Sequence, residues 1–278
     1  MSFAEFLVRS ITWGVYDLFH NGLVRAFLRD SAQGDAKSAA AIGVGFALCI
    51  AVSYLLGSVN AALVVSKGAY HDDVREHGSG NAGATNVMRT YGPKAGLVTL
   101  LGDAFKGILS ILFACLVFGY PSGEYNYIFL VTAVYLSGFF CILGHVFPVF
   151  SRFKGGKGVS TMAGVVFLLN PFLFVVMFIM YVLLVFLSHY VSLASVVMAM
   201  FYPLLLSVID HMRPYPIGVN VLSAVAIAAL VVWAHRENLK RISKGTERKL
   251  YLRRHGQEPP SEPEKPAEPS ATRTDDEE

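Results

Sequence analysis

The chain has 278 residues, 54% of them hydrophobic and 15% charged, with a mean hydropathy of +0.50. These values exclude an ordinary soluble domain and a nucleic-acid-binding surface, and they point to an all-α polytopic membrane protein. The net charge of +3 conceals an asymmetry: residues 257–278 hold eight acids and two bases, which leaves the rest of the chain near +9.

Residues 2–30 place Phe3, Phe6, Leu7, Ile11, Val15 and Phe19 at helical spacing, with Glu5, Arg9, Asp17, Asn21 and Arg25 largely opposite. This predicts an amphipathic helix lying in the membrane interface. Glu5 and Arg9 also break any signal-peptide pattern. Three units follow: an amphipathic extension over 1–37, a membrane domain over 38–255, and a Pro- and Glu-rich tail over 256–278 that reads as disordered.

Apolar runs predict membrane spans near 39–66, 95–118, 127–149, 159–169, 171–188, 190–209 and 216–234. The run 159–188 is too long for one ordinary span and contains Asn170-Pro171. Proline disfavours a helical residue before it, so the run splits there into a short helix and a full one. Seven spans put the termini on opposite sides. The loops 67–94 and 150–158 and the segment 235–254 carry fifteen Lys or Arg, against one, Arg213, in the opposite loops. The C-terminus is therefore expected in the cytoplasm and the N-terminal helix outside. With that split, every polar segment rich in small residues falls on the cytoplasmic face.

The segment His77 to Gly92, HGSGNAGATNVMRTYG, combines small residues with Ser79, Asn81, Thr85, Asn86 and Arg89. Glycines let backbone N–H groups approach a ligand, and Arg89 adds a permanent planar cation, which together suit a phosphate. The run Lys154-Gly155-Gly156-Lys157-Gly158 opens the short 159–169 helix, where free N–H groups, the helix dipole and two cations favour an anion. It is not a P-loop, because Gly158 follows Lys157 and no strand precedes it. Ser192 and Ser195 share a helical face at the start of the sixth span. His235 and Asn238 share a face just past the last span, followed by Gly245-Thr246-Glu247. Asp103 and Lys106 lie inside the second span at i, i+3 and are expected to neutralise each other, bracing the loop above; His145 is either structural or near the site. The three cysteines sit in apolar runs without CxxC or Cys/His spacing, so neither a disulfide framework nor a zinc site is supported.

Taken together, the segments Gly57-Ser58, GSGNAGATNVMRTYGPKAG, LGDAFKG, LGHVFPVFSRFKGGKGVST, YVSLAS and HRENLKRISKGTE resemble the bacterial acyl-phosphate:glycerol-3-phosphate acyltransferase family, PlsY, over residues 57–248. The resemblance implies seven membrane helices in the bacterial inner membrane. It also implies transfer of an acyl chain from acyl phosphate to the 1-hydroxyl of glycerol 3-phosphate, giving 1-acylglycerol 3-phosphate and phosphate without a cofactor. Carried over by motif, Ser79, Arg89, Lys157, His235 and Asn238 are expected to be catalytic. Asn81, Thr85, Asn86, Lys154, Gly155, Gly156, Gly158, Ser192 and Ser195 are expected to bind substrate. The two substrates and the bilayer are the expected partners, with no protein partner indicated. The rival expectation is a transporter of a phosphorylated solute, which glycines and broken helices would also suit.

Overall fold

The computed structural model of the chain describes residues 36–119, 124–211 and 218–250. The interfacial helix expected over 2–30 and the tail over 256–278 lie outside the described residues. Among the described residues all regular structure is helical: α1 (Ala36–Ser58), α2 (Ala61–Ala69), α3 (Ala84–Tyr91), α4 (Pro93–Phe118), α5 (Glu124–Val146), α6 (Val159–Leu169), α7 (Pro171–Ser188), α8 (Val191–His211), α9 (Gly218–Ala234) and α10 (Arg236–Ser243), with 3-10 turns at Val74–Glu76 and Val149–Ser151.

Among the described residues, five helical stretches are long and apolar enough to cross a membrane, and the pair α9 and α10, bent by 54°, makes a sixth if taken together. The run 159–188 breaks at Asn170, where Pro171 opens α7. Helix α6 has only 11 residues, about 16 Å at the ordinary helical rise, roughly half of a ~30 Å hydrocarbon core. Its C-terminal neighbour Asn170 is buried and donates from Nδ2 to the Tyr135 hydroxyl at 3.1 Å. A polar turn is tolerated at that depth because it is enclosed by protein.

Two departures from the expected spans matter for the site. The stretch 39–66 is not continuous: α1 ends at Ser58 and α2 restarts after Asn60, whose side chain caps α2 by accepting the Leu63 N–H at 3.0 Å. The polar loop after α2 contains a helix of its own, α3, which carries Arg89.

Small residues set the helix crossings. A side chain on Gly57 would strike the Cys141 carbonyl and one on Gly144 the Tyr54 carbonyl, so α1 and α5 touch backbone to backbone. Gly107 against the Thr161 carbonyl and Gly164 against the Ala104 carbonyl do the same for α4 and α6. Close approach of this kind stands in for the hydrophobic effect, which does not drive helices together in lipid. Ile111, Val165, Val166 and Ile227 fill the resulting core. Helix α7, by contrast, leaves Phe172, Phe178, Ile179, Leu183, Phe186 and Leu187 exposed, as a lipid-facing helix does.

Candidate functional site

A cavity of about 730 Å³ opens where the helix ends that carry the polar motifs converge. One wall comes from the loop before α3. Gly78 takes a left-handed φ of +60° and packs on Asn86. The Asn86 Oδ1 accepts the Ser79 N–H at 2.9 Å, while its Nδ2 donates to the Val74 and His77 carbonyls at 2.9 and 3.0 Å. Asn86 is thus fully engaged in shaping its own loop. Ser79, Asn81, Thr85 and Arg89 line the cavity beside it.

The second wall is the glycine loop. Gly158 sits at φ +82° with Ile142 against it, a position that only glycine fills without strain, and the chain turns there into α6. Lys157 Nζ donates to Asn238 Oδ1 at 2.5 Å. Burial pushes the Lys157 ammonium down to about 8, with Glu247 opposing the shift and Arg241 and Arg89 adding to it. Lys157 and Gly158 line the cavity; Lys154, Gly155 and Gly156 do not. Lys154 is exposed, and the two glycines instead pack against the end of α5, where a side chain on either would meet His145.

The third wall joins α8 to α10. Asn238 Nδ2 donates to Glu247 Oε1 at 2.6 Å, Ser192 Oγ to the same oxygen at 2.8 Å, and Arg241 Nε to Glu247 Oε2 at 2.7 Å. Burial would raise the Glu247 carboxyl, but hydrogen bonds from Asn238, Arg241 and Ser192 outweigh it and hold it below its ordinary value. Glu247 is therefore a buried carboxylate hub, which the motif reading left unassigned. Ser195 is buried and spends its hydroxyl on the Val191 carbonyl at 2.8 Å within α8.

His235 closes the floor and is 2% exposed. Its Nδ1 lies 2.8 Å from the Val231 carbonyl, which can only accept, so Nδ1 carries the proton. Burial, with the Lys157 charge adding to it, pushes the imidazole down to about 4. At neutral pH the ring is thus uncharged, with the Nε2 lone pair free.

Beneath the polar end, Leu100, Met162, Phe174, Met177, Phe178 and Met198 line an apolar arm between α4, α6, α7 and α8. Asp103 and His145 also reach the cavity wall. The Asp103–Lys106 pair, 2.8 Å apart, is not isolated, because His145 Nδ1 stands 2.8 Å from the Lys106 ammonium. Among the described residues no three His, Cys, Asp or Glu side chains converge to hold a metal ion.

The arrangement therefore offers cations and N–H groups at one end and a lipid-like slot at the other. Three comparisons bear on it. The family model for glycerol-3-phosphate acyltransferase matches residues 47–245. A glycerol-3-phosphate acyltransferase of Paraburkholderia phytofirmans is 41% identical over 199 residues, covering 72% of this chain and 88% of that protein. One of Bacillus subtilis is 39% identical over 204 residues, covering 73% and 97%. Among solved structures, the glycerol 3-phosphate form of PlsY, an integral membrane glycerol 3-phosphate acyltransferase, superposes with a TM-score of 0.64 at 36% identity, covering 74% of this chain and 96% of that one. Its lysophosphatidic acid form gives 0.63 at 34% identity.

Proposed function

We infer the working of this site from one premise: the chain belongs to the glycerol-3-phosphate acyltransferase family and is a membrane acyltransferase. Its donor is acyl phosphate, in keeping with the PlsY likeness, and its acceptor is the 1-hydroxyl of glycerol 3-phosphate. The observation that carries this reading is the composition of this cavity, with Arg89, Lys157, His235 and Asn238 at one end and an apolar arm at the other. A transporter would need polar lining through the bilayer; here the polar groups gather at one end.

Acyl phosphate is a mixed anhydride, so its carbonyl is already activated and phosphate is a good leaving group. What the protein must supply is screening of two anionic phosphates and alignment of the hydroxyl with the carbonyl. Arg89, Lys157 and the N–H groups at the start of α6 take the first task. The apolar arm takes the acyl chain, which leaves its head at the polar end. The glycerol oxygen attacks the carbonyl carbon, the carbonyl–phosphate C–O bond breaks, and phosphate departs with the bonding electrons. The hydroxyl proton goes to a phosphate oxygen. An imidazole held at about 4 by burial is a weaker base than a phosphate whose second pKa is about 6. His235 then serves by accepting at Nε2 a hydrogen bond from the neighbouring 2-hydroxyl of the glycerol, which aims the attacking oxygen at the carbonyl.

The excess of Lys and Arg in the loops on one side supports a topology of seven spans, with α6 short, the C-terminus in the cytoplasm and the cavity at the cytoplasmic face of the bacterial inner membrane, where glycerol 3-phosphate is available. Initial rates measured over a grid of both substrates test the direct transfer. Intersecting double-reciprocal lines are expected. Parallel lines, with a burst of phosphate before glycerol 3-phosphate is added, would establish an acyl-enzyme instead.

A further inference from the structure

We infer that His145, fixed by Asp103 and Lys106, is a positioning residue that sets the height of the glycine loop over the cavity; this rests on the reading that the loop holds substrate phosphate. Gly156 N–H donates to the His145 carbonyl at 3.1 Å, and a Cβ on Gly156 would land on the His145 ring at Nε2. A Cβ on Gly155 would meet the His145 carbonyl as well. Both glycines therefore make their nearest contact with His145, with Val146 and Pro148 also against Gly155, and the next residue is Lys157.

The ring itself is held from behind. The Lys106 ammonium, with three protons, faces four acceptors: Asp103 Oδ1 and His145 Nδ1 at 2.8 Å each, the Val59 carbonyl at 2.8 Å and the Gly57 carbonyl at 3.0 Å. Asp103 Oδ1 also receives the Ala61 N–H at 3.4 Å. The cluster thus grips both sides of the break between α1 and α2. Within that break Asn60 Nδ2 donates to the Ala82 carbonyl at 3.2 Å, and Ala82 borders Gly156 on its other side. Both anion-facing loops are tied to one buried anchor.

A purely structural role does not account for this chemistry. Asp103 is 1% exposed and Lys106 6%, and a buried ion pair of this kind is often no more stabilising than apolar residues of equal volume. Elsewhere the same helices are joined by glycines against carbonyls, without charge. An ionic anchor fixes direction as well as distance, which a loop bearing a substrate-binding lysine requires and a packing contact does not.

The test is steady-state kinetics of the full-length protein in lipid with His145→Asn, Gly156→Ala and the double variant, and Lys157→Ala alongside. Asparagine leaves an amide near the place of Nδ1 for Lys106 and removes the ring under Gly156. The expected result is a KM for glycerol 3-phosphate raised about tenfold or more in each single variant with kcat changed less than about threefold. The double variant should be no worse than about the poorer single one, since both changes displace the same loop. An unchanged KM in His145→Asn, or single losses that multiply, overturns the positioning role. If His145→Asn fails to fold, Gly156→Ala alone decides, because its methyl moves the loop only if the ring beneath is fixed. Lys157→Ala with an unaltered KM would instead overturn the phosphate-loop reading itself.

Discussion

Lys157 is the residue whose charge matters most, and its ammonium, held down to about 8 by burial, gives the account a pH signature. A neutral amine cannot offset a dianionic phosphate, so kcat/KM for glycerol 3-phosphate should fall above about pH 8 by about tenfold per pH unit. Arginine stays protonated throughout, so whatever activity Lys157→Arg retains should lack that alkaline limb. Glu247 acts on the same limb from a distance: it raises the Lys157 value, so Glu247→Gln should move the limb to lower pH. His235 gives a contrasting signature. If phosphate takes the proton, His235→Gln lowers kcat/KM and keeps an acid limb near pH 6; a second limb near pH 4 that the variant loses would make the imidazole the base.

Among elements, α6 is the one on which the site depends, since it carries the glycine loop at its N-terminus and seals the apolar arm with its side. Its contact with α4 is made by Gly107 and Gly164, each pressed on a carbonyl of the other helix. Gly164→Ala should therefore cost about 1–3 kcal/mol, read as a lower thermal unfolding midpoint in detergent, with activity lost as the loop shifts. The position of this helix was legible in the sequence because Asn170-Pro171 punctuates a run too long for one span. The break between α1 and α2 was not, because Gly57-Ser58-Val59-Asn60 is too short an interruption to end an apolar run by composition, and its cause is a cap and a buried lysine from another helix. Helix α3 was hidden for the opposite reason: its eight residues sit inside a segment whose composition reads as loop.

Across the whole molecule, the polar motifs were recognisable as an ordered set rather than singly, because a lone interfacial His or a Ser pair on one helix face more often has a structural use. Their convergence on one cavity needed the fold. Lys154 reads like Lys157 in sequence, yet one points to solvent and the other into the site. Glu247 stands in the polar cluster after the last span with no role that the spacing assigns, and only the approach of α8 to α10 makes it a hub for Ser192, Asn238 and Arg241. Likewise Asp103 and Lys106 announce a pair at i, i+3, whereas their third member, His145, is 39 residues from Lys106 in sequence. The family match ends at residue 245, short of the acidic tail. Removal of residues 257–278 should accordingly leave kcat/KM within about twofold of the full chain.

The most direct measurement is product formation by the purified protein in lipid, with palmitoyl phosphate and glycerol 3-phosphate, beside a folded Lys157→Ala control. The account predicts phosphate release that requires both substrates, equals the lysophosphatidic acid formed, and collapses in the variant. Turnover with acyl-CoA but not with acyl phosphate, or full activity without Lys157, would contradict it.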